Sequence, residues 1–158
     1  MKLQNDIVYV FENFLKKEVC EHYLKTIKDI GYKENNLPFE ERTQDITKDP
    51  IGDLVKDFLR KNIDINITLH QAQTQNWHIN SFSKLHKHNH SGRENTQYNS
   101  LIYLNDDFEG GEFITDGGLI LKPKQGMLTF FDGHAIKHGT NKVFKRDRKT
   151  LIFWWKEV

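Results

Sequence analysis

The chain has 158 residues, of which 23 are Lys or Arg and 22 are Asp or Glu, so its net charge is close to zero. Charges of both signs are mixed along the sequence, which argues against nucleic acid or an anionic membrane as a partner. A chain of this length forms one compact domain by default and can fold without disulfides or a structural metal.

The single cysteine and the N-terminal sequence give an expectation about location. Cys20 has no second cysteine to pair with, which fits a reducing compartment. The first residues, MKLQNDIVYVFENF, lack the apolar core of a signal peptide, and no later run reaches the length of a membrane span. We therefore expect a soluble cytoplasmic protein; the sequence is silent on its oligomeric state.

The first 65 residues predict one strand and two helices, separated by an irregular segment. A short apolar run at 7–11 is typical of a strand, and residues 33–50 are irregular enough to form a rim. A first helix is predicted by apolar residues at helical spacing, namely Val19, Tyr23, Ile27 and Ile30. A second, clearer helix is predicted by the same spacing at Ile51, Leu54, Val55, Phe58 and Leu59.

From about residue 66 the apolar period changes from helical to strand-like. Strands are predicted at 66–70, 73–84, 99–105, 110–115, 118–123, 126–131 and 149–155. Clusters of Gly, Asn and Asp between them favour turns. Helices followed by many short strands predict an antiparallel sandwich or small barrel with the helices outside and a mouth suited to a small ligand. We expect one domain over 1–158, with supporting elements in 1–65 and a β core in 66–158.

The stretch LHKHNH places three of the eight histidines within five positions. Side chains at i and i+2 of a strand share a face, so His86 with His88, or His88 with His90, could hold one ion. Spacing alone does not choose between these pairs, and a solvated loop explains an isolated His-x-His equally well. A structural zinc site is disfavoured because it needs four ligands, usually including cysteines.

A second set of candidate residues lies near the C-terminus. His138 is followed ten residues later by Arg148, at the start of an apolar strand. A guanidinium inside an apolar barrel is costly unless it meets a carboxylate, which its fork binds in a bidentate manner. Taken alone, Arg148 could also be one of the surface charges of KRDRK.

Two early histidines, a late histidine and an arginine ten residues beyond it resemble the pattern of the Fe(II)- and 2-oxoglutarate-dependent dioxygenases, specifically their prolyl-hydroxylase branch. The resemblance runs in order through IVYVFENFLKKEVC, YNSLIYLNDDFEGGEFIT, LKPKQGMLTFF, KHGTNKV and RKTLIFWW, and YLNDDFEGGEF is its most specific piece. It implies a mostly β fold with N-terminal helices, built as a double-stranded β-helix of the jelly-roll or cupin-like kind. It also implies Fe(II), 2-oxoglutarate as cosubstrate, molecular oxygen, and ascorbate as a candidate accessory reductant.

The resemblance implies a set of metal ligands. The family motif is His-x-Asp followed by a distal His, which His86 and His138 match, while His88 stands where Asp is expected. His90 has no counterpart and is interpreted as a substrate-side or surface residue. Asp132 is a minor alternative for the missing carboxylate, since an Asp before Gly usually serves a turn. A neutral His88 would leave the ion more positive, and we expect a tighter hold on the dianionic cosubstrate.

The resemblance also implies how the cosubstrate is held. Arg148 matches the arginine that pairs with the far carboxylate of 2-oxoglutarate, Tyr103 matches a tyrosine that hydrogen-bonds the same carboxylate, and Trp154 matches an aromatic wall of the pocket. The implied reaction couples oxidative decarboxylation of 2-oxoglutarate to hydroxylation of an unactivated C–H bond. The substrate would be a prolyl residue of a peptide or a small molecule such as a free amino acid, because fold and cofactor do not fix it.

Two other functions fit the same residues. One is a three-histidine iron dioxygenase that does not use 2-oxoglutarate and binds its substrate's own carboxylate at Arg148. The other is a non-catalytic barrel that retains a metal or a small acid. A halogenase-like site is less favoured, because it needs a small residue at the second ligand position, where this chain has His88.

Overall fold

The computed structural model of the chain describes residues 7–27, 43–89 and 92–158. Ile30, most of the irregular segment and His90 lie outside these ranges. The described elements are, in chain order, β1 (Tyr9–Phe11), α1 (Lys17–Thr26), β2 (Thr43–Asp45), α2 (Ile51–Ile63), β3 (Ile67–Trp77), β4 (Ser83–His86), β5 (Tyr98–Tyr103), β6 (Glu109–Gly110), β7 (Phe113–Thr115), β8 (Ile120–Leu121), β9 (Leu128–Asp132), β10 (His138–Thr140), β11 (Val143–Phe144) and β12 (Arg148–Glu157).

The second helix is confirmed, and its ends have local causes. The carboxylate of Asp49 accepts a hydrogen bond of 2.9 Å from the backbone N–H of Ile51, one of the donors that a helix leaves unpaired in its first turn. The helix ends at Asp64, which adopts a left-handed conformation. Val55 and Leu59 are buried, whereas Leu54 is 52% exposed and lies at the edge of the apolar stripe.

The first helix is confirmed over a shorter range. Its backbone leaves the helical conformation at Ile27, which is extended but still buried against the core. Cys20 is fully buried in the same core, and Val19 is 37% exposed. Within the part of the chain that the structure describes, neither helix is long and apolar enough to cross a membrane.

The strands form a six-stranded sheet in the order β1-β9-β5-β12-β3-β2 and a four-stranded sheet in the order β4-β10-β7-β8, with β11 and β6 as a separate pair. All of these strand pairs are antiparallel. The prediction of separate strands at 66–70 and 73–84 is wrong, because one strand, β3, runs from Ile67 to Trp77. It pairs with β12 over its whole length, and a bulge near His70 interrupts the alternation without ending the strand.

The six-stranded sheet has two different faces. One face packs against the helices and includes Leu151, Phe153 and Trp155. The other face carries Ile152 and Trp154, which pack in a second cluster with Phe113 of the four-stranded sheet. Successive strand residues point to opposite faces, so β12 contributes to both layers. The two facing antiparallel sheets with helices on the outside confirm the predicted mostly β fold. Hydrogen bonds between the described strands do not close the sheets into a continuous barrel.

Candidate metal and cosubstrate site

Three histidine side chains meet between the two sheets. His86 ends β4 and His138 begins β10, and the two residues lie opposite each other in the antiparallel pair. The backbone N–H of His88 donates to the carbonyl of Gly133 at 2.8 Å, which holds His88 beside them. The Nε2 atom of His88 lies 3.2 Å from Nε2 of His86 and 3.1 Å from Nε2 of His138.

The other ring nitrogens explain why these three Nε2 atoms face one another. Nδ1 of His86 lies 2.8 Å from the carbonyl of Lys84, and Nδ1 of His138 lies 2.9 Å from the carbonyl of Ile136. A carbonyl only accepts, so each Nδ1 carries the proton and each Nε2 presents a lone pair. Nitrogens at right angles and about 2.1 Å from one ion would be about 3 Å apart. The donor set therefore fits a divalent metal ion.

His88 receives the same support from a side chain that sequence reasoning missed. Its Nδ1 lies 2.7 Å from Oδ1 of the buried Asn99. The amide nitrogen of Asn99 donates to the carbonyl of Phe153 at 3.4 Å, which directs the oxygen towards His88. A Cβ atom at Gly133 would lie 2.0 Å from Oδ1 of Asn99 and 3.0 Å from Nδ1 of His88, so this contact requires glycine. The available signal was a polar residue at the start of an apolar strand.

His138 is the most enclosed of the three ligand candidates. It is 5% exposed, and its ring stacks on Phe113 at 5.8 Å and meets Phe131 edge-on at 4.7 Å. Burial lowers the pKa of His138 to about 4, although the hydrogen bond to Ile136 opposes the shift. The imidazole is therefore neutral near pH 7, as a metal ligand must be.

Asp132 lies close to this cluster but serves the turn. Its carboxylate accepts hydrogen bonds from the backbone N–H groups of His134 and Ala135, both at 2.9 Å, and from the amide of Gln97 at 2.8 Å. Among the described residues, the group of His, Cys, Asp and Glu side chains that could hold a metal ion consists of the three histidines. His90 is not among the described residues.

Arg148 lies on the face of the six-stranded sheet that carries Ile152 and Trp154, and it is 1% exposed. Its Nε donates to the carbonyl of Gly111 at 3.0 Å, while its Nη2 is buried without a hydrogen-bond partner in the described chain. Burial lowers the pKa of the Arg148 guanidinium, and the nearby Tyr103 opposes that shift. A buried guanidinium with an unused donor is costly, so this position fits an anionic ligand.

Tyr103 and Trp154 occupy different positions relative to the cavity. The Arg148 guanidinium lies 5.1 Å from the centre of the Tyr103 ring. The buried Tyr103 hydroxyl lies near Thr129 and Arg148 but makes no hydrogen bond of standard geometry within the described ranges. Burial raises the pKa of Tyr103, which keeps the hydroxyl a neutral donor. Trp154 lines the cavity directly, whereas Tyr103 lies beneath Arg148 and is not a lining residue.

The cavity has a volume of about 540 Å³ and contains all three histidines, Arg148 and Trp154 in its wall. Further lining residues are Gln75, Trp77, Phe82, Leu101, Phe131 and Ile152. Sequence reasoning missed one charged lining residue, Arg93, whose guanidinium lies 4.0 Å above the ring of Trp154.

The sequence of this chain is similar to that of a known protein family. Residues 65–156 match the model of the 2OG-Fe(II) oxygenase superfamily. Prolyl 3-hydroxylase 2 of Homo sapiens is 42% identical over 65 residues, which cover 37% of this chain and 9% of that protein. The corresponding protein of Rattus norvegicus is 40% identical over 65 residues. The matched part of the chain thus spans about a tenth of the length of these curated relatives.

Solved structures share the fold at low sequence identity. A Pseudomonas putida prolyl-4-hydroxylase has a TM-score of 0.74 and 15% identity, with 96% of this chain and 92% of that chain covered. The viral collagen prolyl hydroxylase of Paramecium Bursaria Chlorella virus-1, solved with 2OG, has a TM-score of 0.72 and 15% identity, with 96% of each chain covered.

HygX from Streptomyces hygroscopicus, solved with nickel and 2-oxoglutarate, has a TM-score of 0.69 and 13% identity, with 96% of this chain and 82% of that chain covered. These likenesses support the double-stranded β-helix fold. The match to the family model covers more than half of the 158-residue chain. The chain therefore belongs to the 2OG-Fe(II) oxygenase superfamily.

Proposed function

We propose that the protein is an Fe(II)- and 2-oxoglutarate-dependent oxygenase that hydroxylates an unactivated C–H bond. His86, His88 and His138 would hold the iron through their Nε2 atoms, and Arg148 would bind the far carboxylate of 2-oxoglutarate. One observation carries this proposal: three imidazole lone pairs converge in the cavity where a buried arginine has an unused donor. When bound, iron and 2-oxoglutarate supply the oxidative chemistry.

The protein's own residues would orient these groups and exclude water. Backbone carbonyls and Asn99 fix the ring orientation of the three histidines. Phe113 and Phe131 shield His138 from solvent. Tyr103 would donate a hydrogen bond from its hydroxyl to the carboxylate bound by Arg148. Trp154 would form a wall of the pocket. The buried face thereby combines positioning with a low local dielectric, which strengthens the pairing of Arg148 with an anion.

His88 gives the proposed site an unusual charge. Three neutral imidazoles provide no negative charge to a divalent ion, whereas a carboxylate in place of His88 would cancel one unit. The positive ion would hold the dianionic 2-oxoglutarate more tightly and would favour Fe(II) over Fe(III). This is an expectation about the bound metal and rests on ligation by His88.

The substrate proposal rests on the proteins to which this chain is similar. Prolyl 3-hydroxylase 2 and the prolyl-4-hydroxylase of P. putida point to a prolyl residue or a related amino acid. Molecular oxygen would be the second cosubstrate, with ascorbate as a candidate accessory reductant. We further propose that 1–158 works as one domain, since β1 and β2 are edge strands of the six-stranded sheet. The cytoplasmic location remains a prediction.

An anaerobic titration tests the cofactor proposal. The iron-loaded protein is titrated with 2-oxoglutarate, and the visible charge-transfer absorption of the chelate is followed in wild type, His88→Ala and Arg148→Ala. We expect the band in wild type and its loss or weakening in both variants. Arg146→Ala is the matched control, because Arg146 is a 70% exposed arginine two residues away. Iron binding without any band in wild type would overturn the 2-oxoglutarate proposal.

A second function is favoured by the three-histidine ligand set itself. A three-histidine iron dioxygenase would use Arg148 for its substrate's own carboxylate and would need no 2-oxoglutarate. Oxygen consumption with a carboxylic acid substrate and without 2-oxoglutarate would support it. Saturable binding of a small acid without oxygen consumption or succinate would instead favour a non-catalytic barrel.

A further inference from the structure

Arg93 is a second arginine in the cavity, and the cofactor proposal leaves it without a role. It follows β4 in the chain, and its guanidinium carbon lies 4.0 Å from the centre of the Trp154 ring. The backbone of Arg93 is anchored, because its carbonyl accepts from Nε2 of His134 at 2.9 Å and from the backbone N–H of Thr96 at 3.1 Å. The side chain therefore has a defined origin and a defined platform.

In the part of the chain that the structure describes, no carboxylate lies opposite the guanidinium of Arg93. Within the described ranges it makes no ion pair, and none of the residues that line the cavity is Asp or Glu. Stacking on Trp154 uses the flat face of the guanidinium and leaves its N–H edge for an anion. Burial lowers the pKa of Arg93, but an arginine stays charged in proteins, so the cavity contains a permanent cation that has no counterion among the described residues.

The two arginines serve different ends of the cavity. Arg148 and Trp154 are six residues apart on β12, which separates their Cα atoms by about 20 Å in an extended strand. Trp154 is the cross-strand partner of Asn99, and Asn99 contacts His88. Arg93 thus lies at the end of the cavity near the histidines, while Arg148 lies at the far end. A 2-oxoglutarate that bridges a metal ion and Arg148 leaves Arg93 for another anion.

We propose that Arg93, stacked on Trp154, binds a carboxylate of the substrate, so that the substrate is a small carboxylic acid such as a free amino acid. This inference rests on the proposed function, because it assumes that Arg148 is used by 2-oxoglutarate. A neutral internal segment of a peptide would leave Arg93 unpaired in a partly desolvated position. A cavity of about 540 Å³ is also of the size that encloses a small molecule.

Calorimetry on the protein loaded with Ni(II) and 2-oxoglutarate tests the proposal without requiring turnover. The probes are the twenty protein amino acids and their N-acetyl derivatives, each compared with the corresponding carboxamide. At least one carboxylate is expected to bind about 10- to 100-fold more tightly than its carboxamide, as a charge-assisted bidentate hydrogen bond would provide. Arg93→Gln should bring that ratio close to one, and Arg93→Lys should retain part of it.

Arg146→Gln is the matched control, because Arg146 is an exposed arginine that pairs with Asp107 outside the cavity. It should keep the carboxylate preference of wild type. The inference is overturned if no probe pair shows the preference or if Arg93→Gln retains it. It is also overturned if Arg93→Gln weakens 2-oxoglutarate itself as strongly as Arg148→Ala does. Failure of the cofactor proposal would give a different result, namely the absence of the 2-oxoglutarate chelate band in the wild-type protein.

Discussion

The two faces of β12 differ in what surrounds their side chains. Phe153 and Trp155 point towards the helices, stack on each other at 5.7 Å, and the indole N–H of Trp155 donates to Ser100 at 2.8 Å. Arg148 and Trp154 point towards the cavity, and Arg148 keeps a buried donor without a partner in the described chain. One strand therefore carries a closed core on one face and part of the candidate site on the other.

The contrast predicts which residues stabilise the protein and which would serve a ligand. Apolar burial on the helix face contributes to folding directly. Buried polar groups without a hydrogen-bond partner lower the free energy of unfolding, and binding of a ligand that pairs with them removes this cost. Asn76, on the helix face, departs from the contrast, because both polar atoms of its side chain lack a partner among the described residues.

Removing a large side chain from the helix face should have the largest effect. Phe153 is fully buried, and Phe153→Ala would leave a cavity in the core that the surrounding side chains only partly fill. We expect the free energy of unfolding to fall by about 3 to 5 kcal/mol. Urea unfolding of the metal-free protein, followed by circular dichroism, measures this change.

The comparison residue on the other face of the same strand is Arg148. Arg148→Met removes a buried, incompletely paired charge and keeps most of the side-chain volume, so the free energy of unfolding should be unchanged or slightly raised. If Arg148→Met destabilised the metal-free protein as much as Phe153→Ala, the distinction between a stabilising face and a ligand-binding face would be wrong.

Acidification should lower the free energy of unfolding, because the buried His138 on the cavity side stays neutral in the folded protein. The pKa of His138 is about 4 in the folded protein and 6.5 as its ordinary value, so between these values the unfolded chain binds a proton that the folded chain does not. Stability is therefore highest above pH 6.5 and falls as the pH decreases towards 4, by a total on the order of 3 kcal/mol.

Urea unfolding of the metal-free protein at several pH values between 7.5 and 4.5 measures this dependence. His138→Gln provides the reference, because it lacks the titrating group while other acidic groups are unchanged. The slope of stability against pH should be smaller in the variant. Equal slopes in wild type and His138→Gln would show that burial does not hold this imidazole neutral.

A smaller effect than those of Phe153→Ala and of His138 titration is expected from the support of His88 by Asn99. Asn99→Leu has a similar shape but cannot accept the proton of His88 Nδ1, so the ring would lose its fixed orientation. We expect Co(II) affinity, measured by visible absorption, to fall about 10- to 100-fold. Asn99→Asp keeps an acceptor and should retain most of the affinity. Unchanged Co(II) binding by Asn99→Leu would mean that another contact orients His88.

Local sequence patterns determined much of the secondary structure. The apolar spacing of 51–59 predicts α2 because that stripe repeats within each helical turn. The alternating or continuous apolar runs of the second half predict β5, β9 and β12. The short strands β2, β10 and β11 escaped prediction, because two or three residues carry no period and become strands only through their partners.

The candidate site divides in the same way. The sequence alone identified His86, His88, His138, Arg148, Tyr103 and Trp154 by their resemblance to a family motif. It could not identify Asn99, Gly133 or Arg93, whose relevance depends on a neighbour far away in the chain. The roles of the three histidines as metal ligands, and of Arg148, Tyr103 and Trp154 as cosubstrate contacts, remain predictions until a metal and 2-oxoglutarate are titrated.

The sequence by itself determined the fold class and family, because local periodicity and short motifs are properties of consecutive residues. Only the tertiary structure decided which side chains converge. His86 and His138 are fifty-two residues apart, and they lie opposite each other because β4 and β10 pair. Arg93 reaches Trp154 because a loop crosses a strand sixty-one residues later in the chain. Such contacts arise from the register of strand pairing, and no local pattern encodes that register.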